Sequence, residues 1–159
     1  HTAQDYLGLV GRIRAARPDI AMSGDFIVGY PGETEEDFEA TLELVRKVGF
    51  AQTYSFKYSP RPGTPAATEE GQIDEAVKDR RLSELKTLLD AQQAAFVRSF
   101  EGKSFAVLVE KQGRKAGQKV GKSPWLQPVI LDEKDCEIGD IVEVRITHAH
   151  QNSLFGERV

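Results

Sequence analysis

The chain has 159 residues, with 40% hydrophobic and 29% charged residues, a formal net charge of −4 and a single cysteine, Cys136. This composition fits a soluble globular protein of one medium or two small domains, and no apolar run approaches the roughly 20 residues of a membrane helix. The first ten residues lack a basic start followed by an apolar stretch, so we expect no secretory signal. One cysteine allows no internal disulfide, which favours a reducing, cytoplasmic location.

Helices and strands alternate in the first part of the chain. Thr2 and Asp5 form a capping-box-like start to a first helix, which stops near Pro18. The run IAMSGDFIVG then predicts a strand. Thr34, with an acid three residues later, begins a second helix that ends at Gly49.

A second strand and a long helix follow. In FAQTYSFKYSP, Tyr54, Phe56 and Tyr58 recur at a period of two, which predicts a strand closed by the proline-rich PRPGTPA. The third helix covers residues 74 to 100. This order is typical of a parallel α/β sheet or barrel. Three such elements cannot close a barrel, and His1 stands directly before a cap residue, so we expect the C-terminal portion of something larger.

From residue 101 onward the period changes to two. Four short runs, separated by glycine-bearing turns, predict the strands of a small all-β barrel: SFAVLVE, QPVILD, DIVEVRIT and SLFGER. We place the domain boundary near residues 101 and 102. Charge is uneven in this second part, because residues 111–122 hold five basic and no acidic residues, whereas residues 132–143 hold six acids and one lysine.

The stretch FIVGYPGETEEDF forms a corner after the first predicted strand. Loops at the C-terminal ends of parallel strands carry ligands in α/β folds, and Gly29 and Gly32 would let a ligand approach the backbone. A phosphate is disfavoured because acids crowd the start of the next helix, where they are favourable partners of the helix dipole. The alternative is a tight turn before a well-capped helix.

Several charged or metal-ligating residues have two interpretations. Asp25 interrupts an apolar strand and is either a structural acid with a partner or a ligand acceptor, because burying it unpaired costs several kcal/mol. Lys57 is either functional or part of a salt bridge, with Asp25 as one partner considered. His148 and His150 alternate on a strand with no zinc spacing relative to Cys136, so we expect them to face solvent.

The basic stretch at residues 111–122 suits an oligonucleotide, with charges for phosphates and the nearby rings of Trp125 and Phe155 for bases. Solvated loop lysines explain the same charges without a ligand. A single tryptophan such as Trp125 is more often a partly buried packing residue.

Together these segments resemble a known family. The runs SGDFIVGYPGETEEDF and YSFKYSPRPGTPA, the long amphipathic helix and the ending RITHAHQNSLFGERV are similar to the C-terminal half of a MiaB-type radical-SAM tRNA methylthiotransferase. The resemblance covers nearly the whole chain. It implies that residues 1–100 are the C-terminal part of a partial (β/α) radical-SAM barrel with a linking helix. Residues 101–159 then resemble a TRAM domain, an OB-like RNA-binding β-barrel, through VGKSP and ITHAHQNSLFG.

The resemblance also implies an activity. The family replaces a hydrogen at adenine C2 of N6-isopentenyladenosine, next to the tRNA anticodon, with a methylthio group. S-adenosylmethionine serves as methyl donor and radical source, and two 4Fe–4S clusters are each held by three cysteines. This chain has only Cys136, so the clusters would be ligated outside it and the 159 residues alone would be inactive.

Site residues and partners follow from the same resemblance. The residues expected to bind S-adenosylmethionine are Asp25, Ile27, Val28, Gly29, Tyr58, Ser59 and Pro60. The residues expected to contact RNA are Lys57, Arg61, Lys111, Arg114, Lys115, Lys119, Lys122 and Trp125. The acids of QPVILDEKDCEIGD should point away from the RNA. The expected partner is a tRNA anticodon stem-loop, with no membrane, a monomeric chain and a sulfur donor that the sequence does not identify.

Alternatives remain open at this point. Paralogous methylthiotransferases act on threonylcarbamoyladenosine in tRNA or on a ribosomal-protein aspartate, and YSFKYSPRPGTPAA favours the isopentenyladenosine branch. A non-catalytic RNA-binding module, with the α/β part as a scaffold, is a further alternative. Cluster-binding cysteines upstream of His1 would decide between the enzyme and the module.

Overall fold

A computed structural model of the chain describes residues 2–132, 134 and 136–159. The expectation drawn from His1 lies outside these residues, as do two of the acids in the acidic stretch, Glu133 and Asp135. The chain forms two compact units, His1–Gln92 and Gln93–Val159, which divide within the long third helix. None of the helices in the described ranges is long and apolar enough to cross a membrane.

The first unit has the predicted alternation of helices and strands. Its elements, in chain order, are α1 (Ala3–Ala16), β1 (Ser23–Val28), α2 (Glu35–Val48), β2 (Gln52–Lys57), a 3₁₀ turn (Pro65–Ala67) and α3 (Glu75–Arg98), which continues into the second unit. Both predicted capping boxes are confirmed, because the Thr2 and Thr34 hydroxyls accept the third backbone N–H of their helices. Gly49 ends α2 in the left-handed conformation, at φ 61°.

Strands β1 and β2 pair in parallel and have two different faces. One face packs with the helices in a core formed by Val10, Val28, Phe38, Leu42, Val45, Val48, Phe50, Leu85 and Leu89. The opposite face leaves Ile27, Tyr54 and Phe56 60%, 58% and 55% exposed. In the strand register Asp25 lies opposite Tyr54 and Ile27 lies opposite Phe56. Asp25 is itself exposed, so the burial cost considered from sequence does not arise.

The second unit is a closed five-stranded barrel with strand order β3-β4-β5-β7-β6. Its strands are β3 (Ser104–Gln112), β4 (Gln118–Lys122), β5 (Pro128–Asp132), β6 (Ile141–His150) and β7 (Ser153–Arg158). Strand β4 lies in the basic stretch and is absent from the four predicted strands. Gly121 lets β3 and β4 approach closely, since a Cβ there would lie 2.6 Å from the Leu108 carbonyl oxygen. The mixed α/β and all-β prediction is therefore confirmed.

Two β-bulges alter the inward and outward alternation of the barrel. Between β3 and β4 the register shifts at Glu110, so that Lys111 pairs with Val120. Between β6 and β7 it shifts at Thr147, so that His148 pairs with Phe155. A bulge adds one residue to one strand and re-aims the side chains that follow it. Lys111 and His148 are exposed as a result.

Candidate functional site

A row of side chains crosses the outer face of the barrel. Backbone pairing links its five members, one from each strand in barrel order: Lys111, Val120, Ile130, Phe155 and His148. Directly paired residues place their side chains on the same face of a sheet. At about 4.8 Å between strands, the row spans roughly 19 Å. We call these five residues the outer row.

Aromatic rings cluster at one end of the outer row. The rings of His148 and Phe155 stack, with 4.4 Å between centroids and 10° between planes. The ring of His150 meets Phe155 edge-on, with centroids 5.3 Å apart. Both histidines are exposed strand residues, as predicted. Within the described ranges, no group of three His, Cys, Asp or Glu residues is arranged to hold a metal ion.

Thr147, the bulge residue, holds the two stacked rings. Its hydroxyl donates to the Phe155 carbonyl oxygen at 3.1 Å and lies 3.1 Å from His148 Nδ1. A hydroxyl has one proton, and here it donates that proton to the hydrogen bond with the Phe155 carbonyl oxygen. The second contact is therefore a hydrogen bond when Nδ1 of His148 carries a proton and donates to the hydroxyl oxygen.

A cleft of about 620 Å³ adjoins the outer row. Its apolar floor is formed by Val120, Ile130 and Phe155, and its rim carries the basic residues Lys111, Arg114 and Lys115 together with Asn152. The Asn152 side-chain oxygen accepts a hydrogen bond from Gln93 Nε2 at 3.1 Å. We call this feature the barrel cleft. Three of the predicted RNA contacts are therefore brought together beside an apolar surface.

The other predicted RNA contacts of the barrel lie elsewhere. Lys119 is buried, because alternation along β4 turns it inward, and its ammonium donates to the Cys136 carbonyl and to Glu137 Oε2, 3.1 Å away. This differs from the predicted RNA contact. Lys122 donates to the Leu126 carbonyl at 3.1 Å.

Trp125 and Glu137 also differ from the prediction, which gave Trp125 an RNA contact and turned the acids away from the RNA. Trp125 is half-buried and packs against Phe100 and Phe105, with ring centroids 4.7 and 5.3 Å apart, which agrees with its packing interpretation. Glu137 does not point away from the basic stretch, since it pairs with Lys119. That pair removes one lysine from the available positive charge.

A second cleft, of about 940 Å³, lies in the α/β unit beyond the end of β2. Six predicted site residues line it: Ile27, Lys57, Tyr58, Ser59, Pro60 and Arg61. The hydroxyl of Tyr58 is buried and has no hydrogen-bond partner among the residues that the structure describes. A buried polar atom without a protein partner is costly, which favours a ligand or water there. We call this feature the α/β cleft.

The remaining predicted cofactor residues do not line the α/β cleft. Asp25 lies on the exposed sheet face, and Val28 belongs to the core. Gly29 adopts a φ of 75° and packs against Lys78, whose Cγ would lie 2.2 Å from a Cβ at this position. The backbone N–H of Gly29 donates to Glu33 Oε2 at 3.0 Å. In this structure Gly29 of the corner therefore contacts Lys78 and Glu33 of the same chain.

Ion pairs attach the corner to α3. Glu33 binds the buried Arg81 with 2.7 Å between Oε1 and Nη1. Glu35 accepts from Arg80 at 2.8 Å and from Arg81 at 3.1 Å, and these hydrogen bonds hold the pKa of its carboxyl below the usual value. The acids predicted as partners of the helix dipole thus also bind arginines of another helix.

Lys57 forms the predicted kind of interaction with different partners. Its ammonium lies 2.6 Å from Asp79 and 3.1 Å from Glu75, and these hydrogen bonds raise its pKa. The pairing with Asp25 considered from sequence is absent: Lys57 binds the first turns of α3 instead.

The outer row was not identified from sequence as a unit. Its signal is the alternation in QKVGK and PVILD, which places Val120 and Ile130 on the same side of adjacent strands. The two bulges leave no comparable signal, because an extra residue interrupts the period-two pattern on which the prediction depends.

Part of the chain matches a known domain family. Residues 98–159 match the TRAM domain family. The C-terminal barrel is thus a TRAM domain, as predicted, and such a domain indicates RNA binding. Among solved structures, the chain is similar to a conserved protein from the gene locus MMP0076 of Methanococcus maripaludis, with 25% identity over 37% of this chain and 79% of that chain, at a TM-score of 0.33.

Proposed function

We propose that this chain binds RNA through the outer face of its TRAM barrel, and that the RNA is a tRNA anticodon stem-loop. The outer row beside the basic rim of the barrel cleft carries the proposal. Cations neutralise phosphates and aromatic rings stack on bases, and this surface combines both. Among the described residues, Lys111, Arg114 and Lys115 form no ion pair with Asp or Glu, in contrast to Lys119.

The salt dependence of binding tests this surface. Each single-stranded phosphate contact contributes about 0.7 to the slope of log affinity against log salt, so the triple variant Lys111→Gln, Arg114→Gln, Lys115→Gln should lower that slope by about 2. The measurement is fluorescence anisotropy of the full chain with a labelled anticodon stem-loop at several salt concentrations.

A matched triple variant controls for net charge. Arg12→Gln, Lys86→Gln and Arg98→Gln remove the same charge from exposed helix positions and should leave the slope unchanged. Equal slopes for the wild type and the cleft triple would count against the barrel surface. Absence of any RNA binding would overturn the proposed function.

In the same proposal, the chain is part of a radical-SAM methylthiotransferase that modifies N6-isopentenyladenosine, and the α/β cleft holds S-adenosylmethionine. That cofactor, when bound, supplies the methyl group and a 5′-deoxyadenosyl radical. The support is the α/β cleft itself. Ile27 and Pro60 offer apolar contacts, the Tyr58 and Ser59 carbonyls offer polar groups, and the buried Tyr58 hydroxyl has no hydrogen-bond partner among the residues that the structure describes.

The residues of this chain do not fit the two iron–sulfur clusters. Each 4Fe–4S cluster takes several thiolates, and the single cysteine, Cys136, is buried in the barrel core. In the proposal both clusters are ligated outside this chain. The paralogous activities on threonylcarbamoyladenosine or on a ribosomal-protein aspartate, and a non-catalytic RNA-binding module, are the alternatives. Binding of S-adenosylmethionine separates the enzymes from the module.

A further inference from the structure

We infer that the barrel cleft and the stacked pair of Phe155 and His148 form a binding site for one unpaired nucleotide of RNA. The base stacks on the ring pair and the adjoining phosphates contact the basic rim. This inference rests on the proposed RNA binding and narrows it to single-stranded or looped RNA.

The ring pair depends on a bulge. Ile146 is buried and points into the barrel, so strict alternation would turn Thr147 outward and His148 inward. The extra residue leaves Thr147 exposed and also places His148 opposite Phe155 on the outer face. Bulges that re-aim a side chain are frequent at functional sites.

The two rings are assembled before any ligand arrives. They stack at 4.4 Å and 10°, and the Thr147 hydroxyl bonds to a backbone oxygen of one residue and to the ring of the other. Phe155 is half-buried and lies outside the buried residues of the barrel core. Because the rings are already fixed, little conformational entropy is lost when a base adds to the stack.

The barrel cleft has the size and chemistry that a nucleotide needs. Its volume of about 620 Å³ lies within the common range for small-ligand pockets. Val120, Ile130 and Phe155 provide an apolar floor for the base, while Arg114 and Lys115 at the rim suit a phosphate. Gln93 Nε2 donates a hydrogen bond to the side-chain oxygen of Asn152 and so fixes the orientation of its amide. The amide nitrogen of Asn152 can then donate to the edge of a base.

Duplex RNA lacks the exposed base face that this site would bind. Bases inside an A-form helix have both faces covered by their neighbours, whereas bases in loops and single strands can be splayed out onto a protein ring. A ring pair on the outer face beside a basic rim therefore selects an unstacked base.

The test compares two RNAs on the full chain: a labelled single strand of about 8 nucleotides, within the site size of such barrels, and the duplex that it forms with its complement. Anisotropy gives both affinities. We expect the wild type to prefer the single strand. Phe155→Leu and His148→Leu should each weaken single-strand binding by roughly 5-fold to 100-fold, with little change in the salt slope or in duplex binding.

Phe56→Leu, at an exposed ring of the first unit, is the matched control and should bind like the wild type. Fluorescence of Trp125, which packs in the barrel, shows whether each variant is folded. Equal affinity for single strand and duplex, or full single-strand affinity in folded Phe155→Leu, would overturn the inference while leaving charge-dependent RNA binding intact. Loss of all RNA binding by the wild type would instead overturn the proposed function and this inference with it.

Discussion

His148 lies flat against Phe155, and both rings are joined to the hydroxyl of Thr147. The stacked pair is thus positioned by a polar contact in addition to the pairing of β6 with β7. Neither ring fills the interior of the barrel, where Ile146 and Leu154 are buried instead. Their arrangement is a property of the surface, and its loss should alter binding more than folding.

Removal of the Thr147 hydroxyl tests this separation. In Thr147→Val the Phe155 carbonyl and His148 Nδ1 lose their shared partner, and we expect a loss of about 1 kcal/mol in barrel stability and a several-fold loss in single-strand affinity. Thr147→Ser keeps the hydroxyl and should restore both. Urea unfolding followed by Trp125 fluorescence gives the stability, and anisotropy gives the affinity. Full affinity in Thr147→Val would show that the contact does not position the rings.

Two lysines of the basic stretch should respond in opposite ways. Lys119→Met removes the buried ammonium that donates to the Cys136 carbonyl and to Glu137, so we expect a loss of about 1–3 kcal/mol in barrel stability with RNA affinity kept in the folded protein. Lys111→Met should weaken RNA binding and leave stability nearly unchanged, because this side chain is exposed. Both variants carry the same change in charge and chemistry. A similar loss of RNA affinity in both would contradict the inward position of Lys119.

Comparison of alanine variants at two glycines of the corner distinguishes the cost of backbone strain from the cost of a steric clash. Gly29→Ala and Gly32→Ala each place a side chain at a positive φ, of 75° and 81°, which costs about 1–2 kcal/mol. Of the two, only Gly29 would bring the new Cβ into a collision, 2.2 Å from Lys78 Cγ, whereas no atom of the described residues lies within 4 Å of a Cβ at Gly32. We expect Gly29→Ala to lower the free energy of unfolding by about 1 kcal/mol more than Gly32→Ala does. Urea unfolding monitored by circular dichroism at 222 nm measures both, and equal losses would contradict the packing of Lys78 on Gly29.

Acid should weaken the ion pairs of Glu35 and Glu75. Hydrogen bonds from Arg80 and then Arg81 lower the pKa of Glu35, and hydrogen bonds from Lys78 and then Lys57 lower the pKa of Glu75, both from an ordinary value of 4.5. A lowered pKa in the folded state means that stability is present above the ordinary value and is lost as the pH falls through the folded value. Glu35→Gln should therefore be less stable than the wild type at pH 7 and equally stable near pH 2. A constant difference in urea midpoint at both pH values would contradict this linkage.

The Tyr58 hydroxyl gives a test of the α/β cleft. If this hydroxyl bonds to S-adenosylmethionine, Tyr58→Phe should weaken binding of the cofactor about 5-fold to 10-fold, the effect of one hydrogen bond. Tyr54→Phe, on the exposed sheet face, is the matched control and should not change it. Isothermal titration of the full chain with S-adenosylmethionine measures the affinity. Absence of binding by the wild type would favour the non-catalytic RNA-binding module.

Local signals predicted much of the fold. The capping boxes at Thr2 and Thr34, the left-handed glycine at Gly49 and the period-two runs are read over a few residues, and the structure confirms each of them. Strand β4 was missed because its lysines favoured a solvated loop. In the barrel it is half-covered, with Lys119 and Gly121 inside and Val120 outside.

The candidate sites were less predictable because they depend on long-range register. Lys57 could be assigned a salt bridge from its place in a strand, but Glu75 and Asp79 follow it by 18 and 22 residues and become its partners only when α3 packs beside β2. Likewise, Val120, Ile130 and Phe155 become neighbours only through strand pairing. Lys119 shows the limit of composition, because the alternation along β4 turns this one lysine of the basic stretch into the barrel.

The bulges at Glu110 and Thr147 make chain length itself a determinant of the barrel surface. Deleting Glu110 or Thr147 would return the strand to regular pairing and would leave Lys111 or His148 on the outer face, but it would remove the bend and extra twist that the bulge adds there. Among related barrels, single-residue insertions and deletions at these two points should therefore track changes in ligand preference more closely than substitutions do. A gap of one position in a sequence comparison would mark a different binding surface.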